Sequence, residues 1–315
     1  MYIQPSLKNW HGRIDSQDDE RSHRYHQVIK LLDLRELKQQ KDRQTFNLIG
    51  FKCDEGVRRN KGRVGAGEAP DAIRQALAKL PWHLTSQAVI ADYGDIQCDG
   101  KNMEEAQSRL GEAVSKLIQE KSFPIILGGG HETLYGHYLG VRKNIGEDAK
   151  LGIINIDAHF DMRPYDVESS SGTMFKQIMD QDQNCAYFCA GVQKQGNTLA
   201  LFDEADQYNV EYILENELSS NGEFNKIQQF MENNDYIMLT LCTDSISSAF
   251  APGVSAPSPF GLNPRTVRDV INKVVSHRNT LSFDVSEVNP SLDHNGQTVT
   301  LAAHLINEAL LNFHK

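Results

Sequence analysis

Leu151-Gly152-Ile153-Ile154-Asn155-Ile156-Asp157-Ala158-His159-Phe160-Asp161 joins a mostly apolar run to two carboxylates and an imidazole at alternate positions. A short uncharged run of this kind is the pattern of a strand buried on both faces of a parallel sheet. Side chains at i, i+2 and i+4 of an extended chain share a face. Asp157, His159 and Asp161 therefore aim at one point from the C-terminal end of the strand, where α/β sheets place their ligands. Carboxylates with imidazole suit a first-row transition metal, and a carboxylate-rich set suits Mn²⁺. The competing reading is an exposed acidic turn with an incidental histidine, since charge clusters are usually solvated.

Outward from this run, strand-like and helix-like segments alternate along the chain. Apolar runs at 46–51, 88–90, 124–127, 186–192, 211–214, 235–241 and 280–285 read as further strands. Helical periodicity or capping marks 70–80, 102–119, a segment after 133, 172–179, 224–231, 263–275 and 298–313. The alternation predicts one α/β domain: a three-layer α/β/α fold around a mostly parallel sheet of about eight strands. Residues 1–44 are polar and charge-rich. An imperfect stripe (Val28, Ile29, Leu31, Leu32, Leu34 and Leu37) within 23–39 predicts a helical extension docked on that domain or on another subunit.

The bulk properties exclude several classes. A net charge of −10 argues against a nucleic-acid backbone as partner. Mean hydropathy is −0.48 and no apolar run approaches bilayer length. The first thirteen residues lack the apolar core of a signal peptide. Five irregularly spaced cysteines fit neither a disulfide framework nor a zinc pattern, so a reducing cytoplasm is expected.

Metal-type side chains collect at three strand ends: His131 after Gly128-Gly129-Gly130, the Asp157/His159/Asp161 set, and Cys242 with Asp244. Six candidate ligands exceed the needs of one ion, so two metals sharing a carboxylate are expected. The glycine run lacks the Gly-Lys-Ser/Thr of a nucleotide loop, which removes that reading.

In order, Gly128-Gly129-Gly130-His131, the 155–161 segment, and Thr240-Leu241-Cys242-Thr243-Asp244 followed by Phe250-Ala251-Pro252-Gly253 resemble motifs of the ureohydrolase superfamily. This is the group of arginases, agmatinases and formimidoylglutamases. Asp284-Val285-Ser286-Glu287-Val288-Asn289-Pro290 resembles its last motif. The likeness runs from about Phe46 to the C-terminus, dividing the chain into a helical extension (1–44) and a catalytic domain (45–315). The resemblance implies the arginase-like three-layer fold and two Mn²⁺ ions per subunit. His131, Asp157 and Asp161 would hold one, and Asp157, His159 and Asp244 the other. Cys242 stands where the family has a second bridging aspartate. A shared water made acidic by two metals would attack the substrate carbon, with Asp161 orienting it and Glu287 pairing with the cationic C–N group. The family also implies a homo-oligomer.

Further positions bear on substrate. Arg163 stands where arginase-like members have Asn, and its planar fork suits a carboxylate. In Ser171-Gly172-Thr173-Met174-Phe175, Ser171 replaces the usual histidine proton shuttle. With the loop Arg59-Asn60-Lys61-Gly62-Arg63, these positions are most similar to formimidoylglutamases. A dicarboxylate amidine substrate follows, N-formimidoyl-L-glutamate, cleaved to glutamate and formamide in histidine breakdown. Asn60, Arg63, Arg163 and Ser171 are the expected substrate contacts; for Arg163, Arg58, Arg59 and Arg63 a solvated or salt-bridged role stands beside this one. The alternatives are an arginase- or agmatinase-type guanidine hydrolase, or a non-catalytic regulatory subunit with a metal site damaged at Cys242. Cys53 opens the basic loop, and a reversible disulfide between Cys53 and Cys242 that blocks metal binding until it is reduced is a further expectation. His137, His294 and His304 read as packing or surface residues, and Cys98, Cys185 and Cys189 as small buried hydrophobes.

Overall fold

A computed structural model describes residues 1–37, 44–84, 88–165, 168–218 and 224–314. Its strands are β1 (Tyr2–Ile3), β2 (Lys30–Leu31), β3 (Gln44–Lys52), β4 (Ala88–Gln97), β5 (Phe123–Leu127), β6 (Leu151–Ile156), β7 (Cys185–Val192), β8 (Glu211–Leu214), β9 (Tyr236–Cys242) and β10 (Thr280–Ser286). They form one sheet in the order β1-β4-β3-β5-β10-β9-β6-β7-β8, with β2 also on β4. Every pairing is parallel except β1 on β4. All eight expected strands are present.

The pleat sends alternate residues into two cores. Phe46 and Leu48 of β3, Ile125 and Leu127 of β5, and Ile154 and Ile156 of β6 enter one. Ile49 and Phe51, Ile126, and Leu151 and Ile153 enter the other. The first core is covered by the helices Ala69–Leu77, Phe224–Glu232, Pro264–Val275 and Gln297–Asn312. The second is covered by Met103–Gln119, Thr133–Ile145, Met174–Gln181 and Leu199–Gln207. Helices on both faces of a parallel sheet make the expected three layers. The helix Leu199–Gln207 went unread in the sequence: of its residues only Ala205 is buried, so no apolar stripe marks it.

The N-terminal segment departs from expectation. Among its described residues the only α-helix is Tyr25–Val28, beside short 3₁₀ turns and the strands β1 and β2, which extend the sheet edge. Positions 38 and 39 of the expected helix lie outside the described residues. The segment is tied to the body by buried polar contacts. Arg74 reaches Asp92, Asp95 and the Gly94 carbonyl, and Trp10 Nε1 donates to Asp92 at 2.8 Å. Its apolar residues dock on the edge of β4, so they need no helical stripe of their own.

Registers bring the central strands to a common finish. Ile156 lies opposite Leu241, Cys242 opposite Ser286, and Val285 opposite Leu127. The residues just beyond β5, β10, β9 and β6, four consecutive neighbours, therefore meet at one edge.

Candidate metal centre and substrate pocket

At that edge lies a cavity of about 90 Å³ lined by Val57, Asn60, Gly62, His131, His159, Asp161, Arg163, Ser171, Cys242, Asp244, Ser255, Ala256 and Glu287. It has room for a small polar head group, not for a nucleotide-sized cofactor. Two sets of donor atoms close enough to hold a cation meet beside it: His131, Asp157 and Cys242, and Asp157, His159 and Asp244. Asp157 is common to both. Asp161 Oδ2 is 2.8 Å from His131 Nδ1, and Asp157 Oδ2 is 3.1 Å from the same nitrogen. His159 Nδ1 stands 3.4 Å from Asp157 Oδ1 and 3.5 Å from Asp244 Oδ2.

The local chain is built to hold these groups. Leaving β6, the backbone turns so that the His159 N–H donates to Asp157 Oδ1. The next turn is fixed by Asn197, which accepts from the Phe160 N–H and donates to the Ala158 carbonyl. Asn155 donates to Asp157 Oδ2. Asp161 and Glu287 both sit at positive φ, 50° and 66°. That left-handed conformation costs a non-glycine residue about 1 kcal/mol or more and recurs at functional sites. The Glu287 N–H donates to the Gly129 carbonyl, and Glu287 Oε1 accepts from the His131 N–H at 2.9 Å, lacing the two loops together.

Electrostatics mark a centre short of positive charge. Burial pulls His131 and His159 down, but the carboxylates beside them prevail and hold both well above the usual imidazole range. Burial alone would raise Asp157; the two imidazoles outweigh it and hold the carboxyl below its ordinary value. Asp161 is raised by burial and by Asp157. Glu287 is pushed up to about 8 by burial and by Asp244. The Cys242 thiol is raised by burial and by Asp157, Asp244, Glu287 and Asp161, and donates to Asp244 Oδ1 at 2.9 Å. A divalent cation would relieve this crowding. Imidazole and carboxylate donors fit Mn²⁺, and the Cys242 sulfur is the one soft member of the set.

The expected substrate contacts separate. Arg163 Nη1 donates to Asn60 Oδ1 at 2.8 Å, and both line the cavity with Ser171. Arg63 does not line it: its guanidinium donates to the carbonyls of Val254 and Ser255, so it ties two loops together. Arg59 is buried against Glu55 and Glu104, and Arg58 pairs with Glu55. Of these four arginines, Arg163 alone lines the cavity. Cys53 and Cys242 are both free buried thiols with other partners. The Cys53 thiol is raised by its hydrogen bond with Cys98 and then by burial. Both cysteines of the expected redox pair thus stand in the reduced form. His137, expected to be packing or surface, is fully buried and hydrogen-bonded at both nitrogens.

Comparison with known proteins agrees with this picture. The sequence model of the Arginase family matches residues 44–312. A formimidoylglutamase of Geobacillus sp. (strain WCH70) is 52% identical over 318 residues, covering 100% of this chain and 98% of that one. The crystal structure of the formimidoylglutamase from Bacillus subtilis superposes with a TM-score of 0.82 at 22% identity, over 95% of this chain and 93% of its own. That of Trypanosoma cruzi formiminoglutamase with Mn²⁺ gives 0.80 at 24% identity, over 90% and 97%. At these identities the two structures speak to the fold.

Proposed function

This chain belongs to the arginase family, and from that premise we propose that it is a manganese-dependent hydrolase of N-formimidoyl-L-glutamate, releasing formamide and glutamate. The observation that carries the activity is the match, at half of all positions and along the entire chain, to a formimidoylglutamase. The activity places the chain in histidine breakdown.

His131, Asp157, His159 and Asp244, with Cys242 and Asp161 beside them, would hold two Mn²⁺ ions across the shared Asp157. Bound manganese would supply Lewis acidity and a water acidic enough to attack near neutral pH. The Asp161 carboxylate is placed to orient that water by accepting its proton in a hydrogen bond. Glu287, kept from ionising by burial, gains its natural partner when an amidinium enters, and the cation favours its charged form. Arg163, steadied through Asn60, presents its remaining N–H groups to a substrate carboxylate. In the reaction the bond between the formimidoyl carbon and the glutamate nitrogen breaks, water's oxygen goes to formamide, and the leaving nitrogen takes a proton. Ser171 at the wall is consistent with an amine that leaves without a histidine shuttle. Among the described residues no helix is long and apolar enough to cross a membrane.

The test is a substrate panel on purified protein with Mn²⁺: formamide from N-formimidoyl-L-glutamate beside urea from arginine and agmatine. Formamide release alone is expected. Urea release without formamide would replace this reading by a guanidine hydrolase, and no turnover on any of the three by a non-catalytic role.

A further inference from the structure

Behind His131, on the side away from the cavity, runs a chain of hydrogen bonds through three elements. His131 Nε2 lies 3.2 Å from Thr240 Oγ1 on β9. The Thr240 hydroxyl donates to Asp284 Oδ1 on β10 at 2.8 Å, and Ser286 Oγ donates to the same oxygen at 3.0 Å. Asp284 Oδ2 is 2.7 Å from His137 Nδ1, on the helix that His131 precedes, and His137 Nε2 is 2.6 Å from Ser282 Oγ. Every side chain in the chain is buried, most of them completely.

The direction of these bonds follows from donor counting. A carboxylate only accepts, so its neighbours must donate to it. Thr240 has a single hydroxyl proton and gives it to Asp284, so only oxygen lone pairs face His131. Nε2 of His131 must then carry its own proton. Nδ1 is the nitrogen turned toward Asp157 and Asp161; by the same count it donates while only carboxylates face it, and it is the nitrogen whose proton a cation bound among them would replace.

We propose that Thr240 and Asp284, backed by His137 and Ser282, are positioning residues that hold His131 with Nε2 protonated and Nδ1 presented to the metal centre. The proposal rests on the reading of His131 as a manganese ligand. Partners behind a metal-bound histidine fix its tautomer and ring plane, and their loss typically costs about 10–100-fold in metal affinity. The arrangement also couples the ligand to the sheet: His131 cannot rotate without breaking a bond that begins on β9 and is completed on β10.

The test reads the tautomer and metal binding, not turnover. Histidine-labelled protein loaded with diamagnetic Zn²⁺ in place of Mn²⁺ is studied by ¹⁵N NMR, with the His131 signals assigned by their loss in His131→Asn. The wild type should show Nε2–H at His131. Thr240→Val should lose the hydrogen bond from that proton, seen as an upfield move of its ¹H signal, and calorimetric titration should show one of its two Mn²⁺ sites weakened about 10–100-fold. Thr240→Ser should restore both. An Nδ1–H tautomer in the wild type would overturn the relay whether or not any variant folds. Two unchanged Mn²⁺ affinities in folded Thr240→Val would overturn it as well. Failure of the wild type to bind Mn²⁺ would instead overturn the metal reading on which the relay rests.

Discussion

Cys242 is the residue at which this centre departs from an all-oxygen and nitrogen set. Its thiol is held protonated by burial and by four surrounding carboxyl groups, so binding a cation there must expel a proton. Cys242→Asp is expected to tighten Mn²⁺ binding by about tenfold, roughly 1.4 kcal/mol; calorimetric titration checks it, and weaker binding in the variant would mean that the sulfur is the better ligand here. At the other end of the cavity, Arg163→Ala should raise KM for formimidoylglutamate by an amount worth about 1.5–3 kcal/mol while leaving Mn²⁺ affinity alone. Steady-state kinetics with a parallel metal titration decides it, and an unchanged KM would remove Arg163 from substrate recognition. The residues at the strand ends were legible because local spacing carried them: Asp157, His159 and Asp161 alternate on one extended segment. Thr240, Asp284 and His137 were not, because nothing in their local pattern connects them until β9 and β10 pair. Arg63 was misjudged for a related reason. A basic loop looks available to substrate until its carbonyl partners, Val254 and Ser255, are known.

Among the elements, the sheet edge formed by β1, β2 and β4 is held by a buried charge cluster. Arg74 is fully buried; the Asp92 and Asp95 carboxylates overcome that burial and keep it charged. Arg74→Leu would leave the buried Asp92 without a cation and Asp95 with Lys52 alone, 3.8 Å away, at a cost of about 3–5 kcal/mol measured by urea denaturation. The triple variant Arg74→Leu with Asp92→Asn and Asp95→Asn should recover a large part of that loss. If the single variant is as stable as wild type, the cluster does not hold the edge. The two-residue strands β1 and β2 escaped the sequence because they have no periodicity of their own. The apolar residues between Val28 and Leu34 fit a helical stripe as well as a docked edge, and the waiting edge of β4 decides the matter. Gly94 permits the closest approach: its φ is 77°, and a Cβ there would lie 2.1 Å from the Ile3 carbonyl oxygen. Most of the longer strands were legible as apolar runs buried on both faces; β8, at the sheet edge with only Ile213 buried, was legible from its apolar residues alone.

For the whole molecule, metal and fold are linked through protons. In the metal-free protein His131 and His159 have raised values. Their contribution to stability is complete below the unfolded imidazole value and is lost as pH rises through the raised folded values. Manganese must displace those same protons, so it should raise the melting temperature least near pH ~6 and most near pH ~9. At a hundredfold excess over Kd the stabilisation is about 2.7 kcal/mol. Thermal melts with and without Mn²⁺ across that range test this, and a shift independent of pH would mean that the histidines do not compete with the metal. The most direct test of the account is formamide production from N-formimidoyl-L-glutamate by the wild type and by Asp157→Ala, both supplied with Mn²⁺ and both shown to be folded. Formamide and glutamate are expected in equal amounts from the wild type, and none from the variant; near-normal release by Asp157→Ala would contradict a centre built on that shared carboxylate.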